Sequence, residues 1–478
     1  MRMKFNKTSQ LLLVSAASLL VAGTMTACET LTVDFVFMAS SKAAGPNNYG
    51  ELDVLEINSE SGVMRHIPTS PFPSGGRNPV AEAVSSDNTN LYVVNQDDNT
   101  IVQFIIGNDG KLYPQNTTNT PGIYPFAVAV NGKNLFVLDT YQPLPTCSTA
   151  EPCSGSIGVY PITSSSASPP SDSIGTNPIP NGDLTYWPLS LPGRPTDVIE
   201  PTALSVIPSG ANVYVAGYDV NTAANYIFGF WVVPAGTSAS SPATIPSSAT
   251  CPAPPTTPVP APPAGQTADP GGTLCQLNGG APLTAGGFAT GSCPTVFLNA
   301  PYVIGTCPSA MASVTETVNG APVTFLYATD PFKGQAHGYT VGSSGLLTEL
   351  GSSPYTTGNQ PSAIVADPNY PYVYVANAQD STVTAFSTSN GALTSLGTYA
   401  TGLQPVSMGV DPSTSHFLYT TNYLGSGISG TVSGFQINTT STTAGTLVNS
   451  QNSPYTVDAQ PTAIVAIPHN GTGAGLSK

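Results

Sequence analysis

Ionisable side chains are scarce in this chain of 478 residues, so few of them could do chemistry together. The sequence holds four arginines and four histidines. Hydrolysis of a carboxylic ester needs a group that polarises the carbonyl, a base for water and a cation near the oxyanion. The segment DPFKGQAHGY, which begins at Asp330, is expected to be a long loop that carries one of the histidines. The candidate catalytic set is Arg77, Arg194, Asp330 and His337.

Other polar side chains stand where short apolar segments begin or end. Three glutamines precede a proline at such places, as Glu200 does, and Asn, Asp or Tyr follows an apolar run at others. The ligand-binding candidates are Asn95, Asp139, Tyr218, Gln360, Asn377, Gln404, Asn422 and Gln460. The alternative for each of them is a turn cap that binds neighbouring backbone groups.

Other kinds of site are not indicated by the sequence. It has no Gly-x-Ser-x-Gly nucleophile motif, no Gly-Lys-Ser/Thr phosphate loop and no Cys-x-x-Cys pair. The segments that begin at Asn95 and Asp219 could offer oxygen ligands to calcium, but neither has the EF-hand spacing. We expect no metal and no cofactor.

A repeat of about 45 residues positions these side chains. Each unit has an X-Pro step, a short apolar strand and a strand like Leu/Val-Tyr-Val-x-Asn, and clear copies begin at Pro79, Pro361 and Pro405. A third strand follows, and a Gly-containing turn then starts a fourth. Seven inner strands can be counted. The pattern predicts an all-β, seven-bladed β-propeller of four-stranded antiparallel blades, lettered A (inner) to D (outer).

The last copy of the repeat is incomplete. PTAIVAIP from Pro461 has no second strand after it, whereas TVDFVFMAS near the N-terminus has a second-strand pattern. We expect this C-terminal strand to pair with the N-terminal blade, whose other strands lie between Val33 and Pro73. Such pairing closes the ring and removes an exposed edge. The D-to-A and B-to-C connections then surround one mouth of the central channel, the default binding site.

The N-terminal residues are typical of a bacterial export signal. A basic start and a short apolar run lead to Met25-Thr-Ala-Cys28, which resembles the lipobox of a lipoprotein. We expect a signal peptide at 1–27, a lipid-anchored N-terminus at 28–32 with Cys28 acylated, and attachment to the outer membrane on its periplasmic or surface face. The alternative is an ordinary signal peptide with an incidental cysteine.

Six further cysteines favour an oxidising compartment. Cys147 and Cys153 bracket a short loop that a disulfide would close. The other four are expected to staple one long insertion, with three pairings possible: Cys251, Cys275, Cys293 and Cys307. All six are expected between the repeat units and outside the core strands.

The remaining organisation follows from proline and charge. The propeller is assigned to 33–470, with Cys/Pro-rich insertions at about 143–180 and 239–307 that favour exposed polyproline II, and a tail at 471–478. The net charge of −15 comes from 26 acidic and 11 basic residues. The lack of a basic patch after the signal excludes nucleic-acid binding. We expect a monomer.

The strand motifs LYVVN, VYVAN, LYTTN, VYVAG and LYATD resemble the repeats of bacterial YVTN-type surface propellers. They are also similar to the lactonase family of seven-bladed propellers, which contains 6-phosphogluconolactonase-like and muconate-lactonising enzymes. The resemblance covers nearly all of the mature chain and implies the fold more strongly than the chemistry. It allows two functions: an exported protein that binds a small-molecule or protein ligand, or a lactone hydrolase that acts at the channel mouth. Whether the chain is an enzyme stays open.

Overall fold

The computed structural model describes most of the chain, and the regular elements of this described part are all strands. No helix among the described residues is long and apolar enough to cross a membrane. The described residues are 32–44, 49–148, 150–164, 172–235, 245–253, 271–277, 283–284, 309–425, 429–440 and 443–469.

The described residues form thirty-four strands, because β-branched and aromatic residues in short alternating runs fit a pleated, buried surface. The N-terminal blade supplies β1 (Thr32–Ala44), β2 (Tyr49–Asn58), β3 (Met64–His66) and β4 (Phe72–Pro73). Blade 2 has β5 (Pro79–Val84), β6 (Asn90–Asn95), β7 (Thr100–Ile106) and β8 (Leu112–Asn119). Blade 3 has β9 (Ile123–Val130), β10 (Asn134–Tyr141), β11 (Ser156–Ser164), β12 (Asp172–Ile174) and β13 (Trp187–Pro188).

The second half of the ring repeats this arrangement. Blade 4 has β14 (Ile199–Val206), β15 (Asn212–Asp219), β16 (Asn225–Val232), β17 (Ala249–Thr250), β18 (Leu274–Leu277) and β19 (Leu283–Thr284). Blade 5 has β20 (Met311–Val318), β21 (Ala321–Asp330), β22 (Gln335–Val341), β23 (Leu347–Glu349) and β24 (Tyr355–Thr356). Blade 6 has β25 (Pro361–Ala366), β26 (Tyr372–Asn377), β27 (Thr382–Ser389) and β28 (Ala392–Ala400). Blade 7 has β29 (Leu403–Val410), β30 (Phe417–Leu424), β31 (Thr431–Ile437), β32 (Leu447–Asn449) and β33 (Tyr455–Thr456), and β34 (Pro461–Pro468) ends the series.

The strands form seven antiparallel sheets, which confirms the predicted seven-bladed propeller. Strands A, B and C are continuous in every blade. Strand D is continuous in blades 2 and 6. In the other five blades it consists of short pieces that pair with strand C, except β17 of blade 4, which pairs with β18.

The predicted closure of the ring is confirmed. Strand β34 pairs with β1 in an antiparallel register from Asp34↔Pro468 to Ser40↔Pro461, so that it is strand A of blade 1. Its side chains Ile464 and Ile467 are buried in the core on either side of the blade.

Tyrosines of the repeat motif connect neighbouring blades. Tyr214 donates to the carbonyl of Gly345 at 2.6 Å, and Tyr327 donates to the carbonyl of Gly391 at 2.9 Å. Both glycines have positive φ and lie in the C-to-D turn of the next blade. The motif tyrosine of one blade and the turn glycine of the next therefore form one buried contact, although they lie far apart in the repeat. The bulk of the core lies between blades.

Two disulfides are present among the described residues. Cys147 pairs with Cys153, as predicted, and Cys251 pairs with Cys275, one of the predicted possibilities. Cys28, Cys293 and Cys307 lie outside the described residues. Cys275 is buried in β18, an outer strand of blade 4 that is built from the predicted insertion.

We expect the two disulfides to stabilise the protein unequally. The Cys147–Cys153 bridge spans a sequence separation of 6 and the Cys251–Cys275 bridge spans 24. A longer closed loop removes more entropy from the unfolded chain, so we expect losses of about 2 and about 3.5 kcal/mol in the free energy of unfolding when each pair is changed to serine. Urea denaturation of the two double variants measures this. A larger loss for the shorter loop would contradict the expectation.

Candidate functional site

The inner strands of all seven blades surround a central cavity of about 280 Å³. This volume lies near the lower end of the range for small-molecule pockets, about 300 Å³. Gln96 and Thr140 also line it, next to the ends of two B strands, so the cavity lies at the mouth where the B-to-C connections begin. The residue that follows the inner-strand proline lines the cavity in every blade: Val80, Phe126, Thr202, Ser309, Ser362, Val406 and Thr462.

Three of these hydroxyl groups bind the proline carbonyl of the next blade. Ser309 donates to Pro361, Ser362 donates to Pro405 at 2.6 Å, and Thr462 donates to Pro79 at 2.9 Å. A hydroxyl has one proton and two lone pairs. Because each hydroxyl proton is donated to a proline carbonyl, these hydroxyls can only accept further hydrogen bonds.

Glu82 is the most unusual side chain in the cavity lining. It is 8% exposed, and within the described residues its carboxylate oxygens make no hydrogen bond of ordinary geometry, although the N–H of Ala39 lies near them. Burial raises its pKa well above the usual value and the charge of Asp53 raises it further, while the N–H of Ala39 opposes the shift. The same position of the other inner strands is apolar: Val128, Leu204, Met311, Ile364, Met408 and Ile464.

A second carboxyl group, Glu200, lies at the same cavity among tyrosines. Tyr218 donates to it at 2.7 Å. Burial raises the pKa of Glu200, and the Tyr218 hydrogen bond opposes the rise. Burial raises the pKa of Tyr141, and the charges of Glu200 and Tyr124 raise it further. The rings of Tyr124 and Tyr141 meet edge to face, with their centroids 6.1 Å apart. The mouth therefore has an aromatic side next to Glu200.

Four of the predicted ligand-binding residues are fully buried in contacts with the preceding D-to-A turn. Asn377 accepts from the N–H of Gly358 at 2.9 Å, Asp139 accepts from the N–H of Gly122 at 3.0 Å, and Asn95 donates to the carbonyl of Ser74. Asn422 packs closely against Gly402, since a Cβ added to this glycine would lie 2.7 Å from the amide nitrogen of Asn422. These contacts correspond to the turn-cap alternative, and a ligand role for the four stays a prediction.

We expect Asn377→Ala to lower the free energy of unfolding by about 2–3 kcal/mol, because it leaves buried groups unpaired. Asn377 also donates to Thr384 at 2.9 Å within the blade. The matched control is Asn359→Ala on the same connection, whose exposed side chain donates to Asp380 at 2.9 Å and should matter far less. Chemical denaturation of both variants measures the difference. Equal losses would contradict the structural role.

The glutamines before the inner-strand prolines act in the fold through their carbonyl groups. Ala378 donates its N–H to the carbonyl of Gln360 at 2.8 Å, and Ser41 donates its N–H to the carbonyl of Gln460 at 3.2 Å. Gln360 and Gln404 have φ of 50° and 57°, in the left-handed region where such residues are uncommon. Their side chains are half-buried, and their binding role stays a prediction.

The four catalytic candidates are held by separate partners. The Arg77 side chain is 51% exposed and pairs with Asp98 at 2.6 Å. Arg194 pairs with Asp219 at 2.8 Å, and Asp330 accepts from the N–H of Phe332 at 3.0 Å. Of the described residues that line the cavity, none belongs to this set. As a catalytic set the four stay a prediction.

The prediction that His337 lies in a loop is wrong. The turn after Asp330 is short, and His337 lies within β22, where it pairs with Ala328 of β21. The side chain is 1% exposed, and Nδ1 lies 3.1 Å from Oε1 of Glu349. Among the described residues, no group of three or more His, Cys, Asp or Glu side chains could hold a metal ion.

Sequence reasoning named Glu200 and Tyr218 as residues of the mouth and missed Glu82. The signal for Glu82 was present in the repeat alignment, because it is a charged residue at an inner-strand position that is apolar in the other six copies. A charged residue is rarely buried without a partner unless function requires it.

Comparisons with known proteins agree with the fold. Residues 325–463 match the family model described as lactonase, seven-bladed β-propeller. No curated protein matches the chain in sequence. These findings place the family resemblance in the blades from β21 to the closing strand.

Solved structures match along the whole ring. A candidate 6-phosphogluconolactonase from Bacteroides fragilis is 17% identical, with a TM-score of 0.58 over 92% of this chain and 99% of that one. A periplasmic gluconolactonase from Pseudomonas aeruginosa is 13% identical, with a TM-score of 0.56 over 91% and 99%. At such identities the likeness shows the fold alone. The chain is a seven-bladed β-propeller, and its residues 325–463 are similar to the lactonase family of such propellers.

Proposed function

We propose that the protein is an exported binding protein that takes up a small polar molecule in the central cavity. The observation that carries the proposal is the convergence of Glu82, Glu200 and the hydroxyl ring on one cavity at the mouth. Buried polar groups are costly unless they are paired. A bound polar molecule would supply the partner that Glu82 lacks among the described residues.

Binding is tested by thermal unfolding of the mature protein with small polar solutes: glucose, glucosamine, glucono-δ-lactone and gluconate. A ligand that binds only the folded state raises the melting temperature. We expect at least one of these solutes to do so, and we expect Val406→Trp, which fills the cavity from one inner strand, to abolish the shift. A wild-type protein that responds to none of them would count against a small-molecule site of this chemistry.

Lactone hydrolysis is the second candidate function. It is favoured by two carboxyl groups whose pKa values are raised at one cavity, since a general base works best when its pKa is near the working pH. The likeness to the structure of a periplasmic gluconolactonase supports the same reaction class. Of the described residues that line the cavity, none is an Arg, Lys or His that could stabilise an oxyanion, and this favours binding over hydrolysis.

A pH-stat assay with glucono-δ-lactone separates the two functions. Turnover that is lost in Glu200→Gln and retained in Arg77→Ala and His337→Ala would establish a hydrolase that uses the cavity carboxyls. Turnover that is lost in the Arg77 and His337 variants would instead support the catalytic set indicated by the sequence. No turnover above the spontaneous rate supports the binding protein.

We propose that the protein reaches the cell envelope as a lipoprotein, acylated at Cys28. The N-terminal sequence pattern and the two disulfides support an oxidising compartment outside the cytoplasm. Growth with a radioactive fatty acid should label the protein, and Cys28→Ala should remove the label and release the protein from the membrane fraction. An unlabelled wild-type protein would rule out the anchor.

A further inference from the structure

We propose that the molecule bound in the central cavity carries an organic ammonium group, which is recognised by the carboxyl groups of the cavity lining, Glu82 and Glu200. This inference rests on the proposed function, because it names the chemical class of the ligand of the same cavity. It is carried by the hydrogen-bonding character of the lining, by the unpaired carboxyl group of Glu82 and by the tyrosines beside Glu200.

Most polar groups of the described lining offer acceptors, while the Thr202 hydroxyl and the Gln96 amide can still donate. The hydroxyls of Ser309, Ser362 and Thr462 spend their protons on backbone carbonyls, and Thr140 donates to the carbonyl of Tyr124 at 2.7 Å. The described lining residues include two carboxyl groups and no Lys, Arg or His. Such a cavity matches a ligand that donates hydrogen bonds and repels carboxylate and phosphate groups. The net charge of −15 also favours the approach of a cation.

The position of Glu82 costs stability that a cation would recover. A carboxyl group buried without a hydrogen bond is destabilising, and the other six inner strands have an apolar residue there. An ammonium group has three donors and a full positive charge. It would donate hydrogen bonds to the carboxylate oxygens of Glu82. Its positive charge would also favour the ionised form of this carboxyl group, which burial disfavours.

An organic cation fits better than a metal ion. The described residues hold no group of three or more His, Cys, Asp or Glu that could hold a metal. The edge-to-face pair of Tyr124 and Tyr141 stands next to Glu200, and aromatic faces attract ammonium groups that have left water. The cavity of about 280 Å³ also leaves room for more than a bare ion.

Binding of an ammonium group should release protons. Burial and Asp53 on β2 hold the pKa of Glu82 up, and burial raises the pKa of Glu200, which Tyr218 and Tyr141 face. A cation in the cavity lowers both pKa values, because it favours the charged forms. Proton release is therefore a readout that a neutral ligand would not give.

The test is isothermal titration of the mature protein with glucosamine and with N-acetylglucosamine, which has the same ring and no charge. Gluconate serves as the anionic probe. We expect glucosamine to bind at least tenfold more tightly than the other two at pH 6.5. Titration in two buffers of different ionisation enthalpy should show proton release. Glu82→Gln and Glu200→Gln should each lower the affinity for glucosamine about tenfold and remove part of the proton release.

The exposed side chain of Glu60 provides the matched control, and Glu60→Gln should bind as the wild type does. Glu82→Met tests folding separately, because Met occupies this position in blades 5 and 7. We expect that variant to be folded, to melt at a higher temperature than the wild type and not to bind glucosamine. Retained affinity in Glu82→Met would overturn the assignment.

The possible outcomes separate this inference from the proposed function. Equal or tighter binding of N-acetylglucosamine or gluconate would overturn the ammonium group and leave a small-molecule site. Binding of glucosamine without proton release and unaffected by Glu82→Gln or Glu200→Gln would also overturn it. If none of the three probes binds at millimolar concentration and the thermal-shift solutes have no effect, both the inference and the proposed function fail.

Discussion

Deletion of residues 461–478 is expected to prevent the protein from folding. Strand β34 contributes the whole inner strand of blade 1, and its loss leaves β1 with an unpaired edge at the centre of the ring. Removal of Ile464 and Ile467 from the core alone costs about 2–5 kcal/mol each, against a typical total stability of about 5–15 kcal/mol. Thr462 also binds the carbonyls of Ala39 and Pro79, which tie blade 1 to blade 2.

Circular dichroism and thermal unfolding measure the effect. The matched control is a deletion of residues 471–478, which keeps all of β34 and is expected to melt as the full chain does. A synthetic peptide of residues 459–469 should restore a cooperative transition to the deleted chain, because the missing strand pairs through its backbone. A deletion variant that melts at the wild-type temperature without the peptide would show that the ring does not need its seventh inner strand.

This closure could be predicted from sequence because its determinants repeat. Every blade needs an inner strand after an X-Pro step, so a final copy without a second strand and an initial strand without a first must belong together. The link between Tyr327 and Gly391 gives the physical reason for the repeat: the tyrosine of one blade needs the turn of the next. Because the same contact joins successive blades, the order of the blades around the ring follows their order in the sequence.

The side chains at the mouth could be predicted only in part. The sequence places Asn377 at the end of a strand but cannot tell whether its amide faces a ligand or the N–H of Gly358, since both need the same residue type. It could not show that Arg194 is committed to Asp219, because that pairing depends on the path of an irregular connection. Glu82 was missed because candidates were sought in the loops that follow strands, whereas Glu82 lies within an inner strand.

The closing contact also contains a proton-dependent element. Asp34 of β1 is fully buried beside Asp411 of blade 7, and Tyr419 donates to it at 2.8 Å. Burial first and the charge of Asp411 second raise the pKa of Asp34 to about 8, although the Tyr419 hydrogen bond acts the other way. Burial also acts on Asp411, but hydrogen bonds from Ser413 and Thr414 outweigh it and lower its pKa. Asp34 therefore carries the proton of the pair.

The sign of the pH effect follows from the two states of Asp34. In the unfolded chain its pKa is close to 3.9, below the folded value of about 8. The folded protein therefore binds the proton more tightly between these values, and the contribution of Asp34 to stability is fully present below about pH 3.9 and lost as the pH rises to about 8. Each pH unit within this window costs about 1.4 kcal/mol. Asp139, whose pKa burial also raises to about 8, adds to the same trend.

Asp34→Asn tests this proton directly, because the amide can donate to Asp411 and accept from Tyr419 as the neutral acid does. We expect the free energy of unfolding in urea to fall less steeply between pH 5 and pH 7.5 in this variant, by about 1.4 kcal/mol per pH unit. Asp109→Asn, on an exposed turn, should keep the wild-type slope. Asp34→Ala should be less stable than Asp34→Asn at every pH, since it also leaves Tyr419 unpaired. If the asparagine variant and the wild type lose stability at the same rate, the proton is not on Asp34, and the ring closes without it.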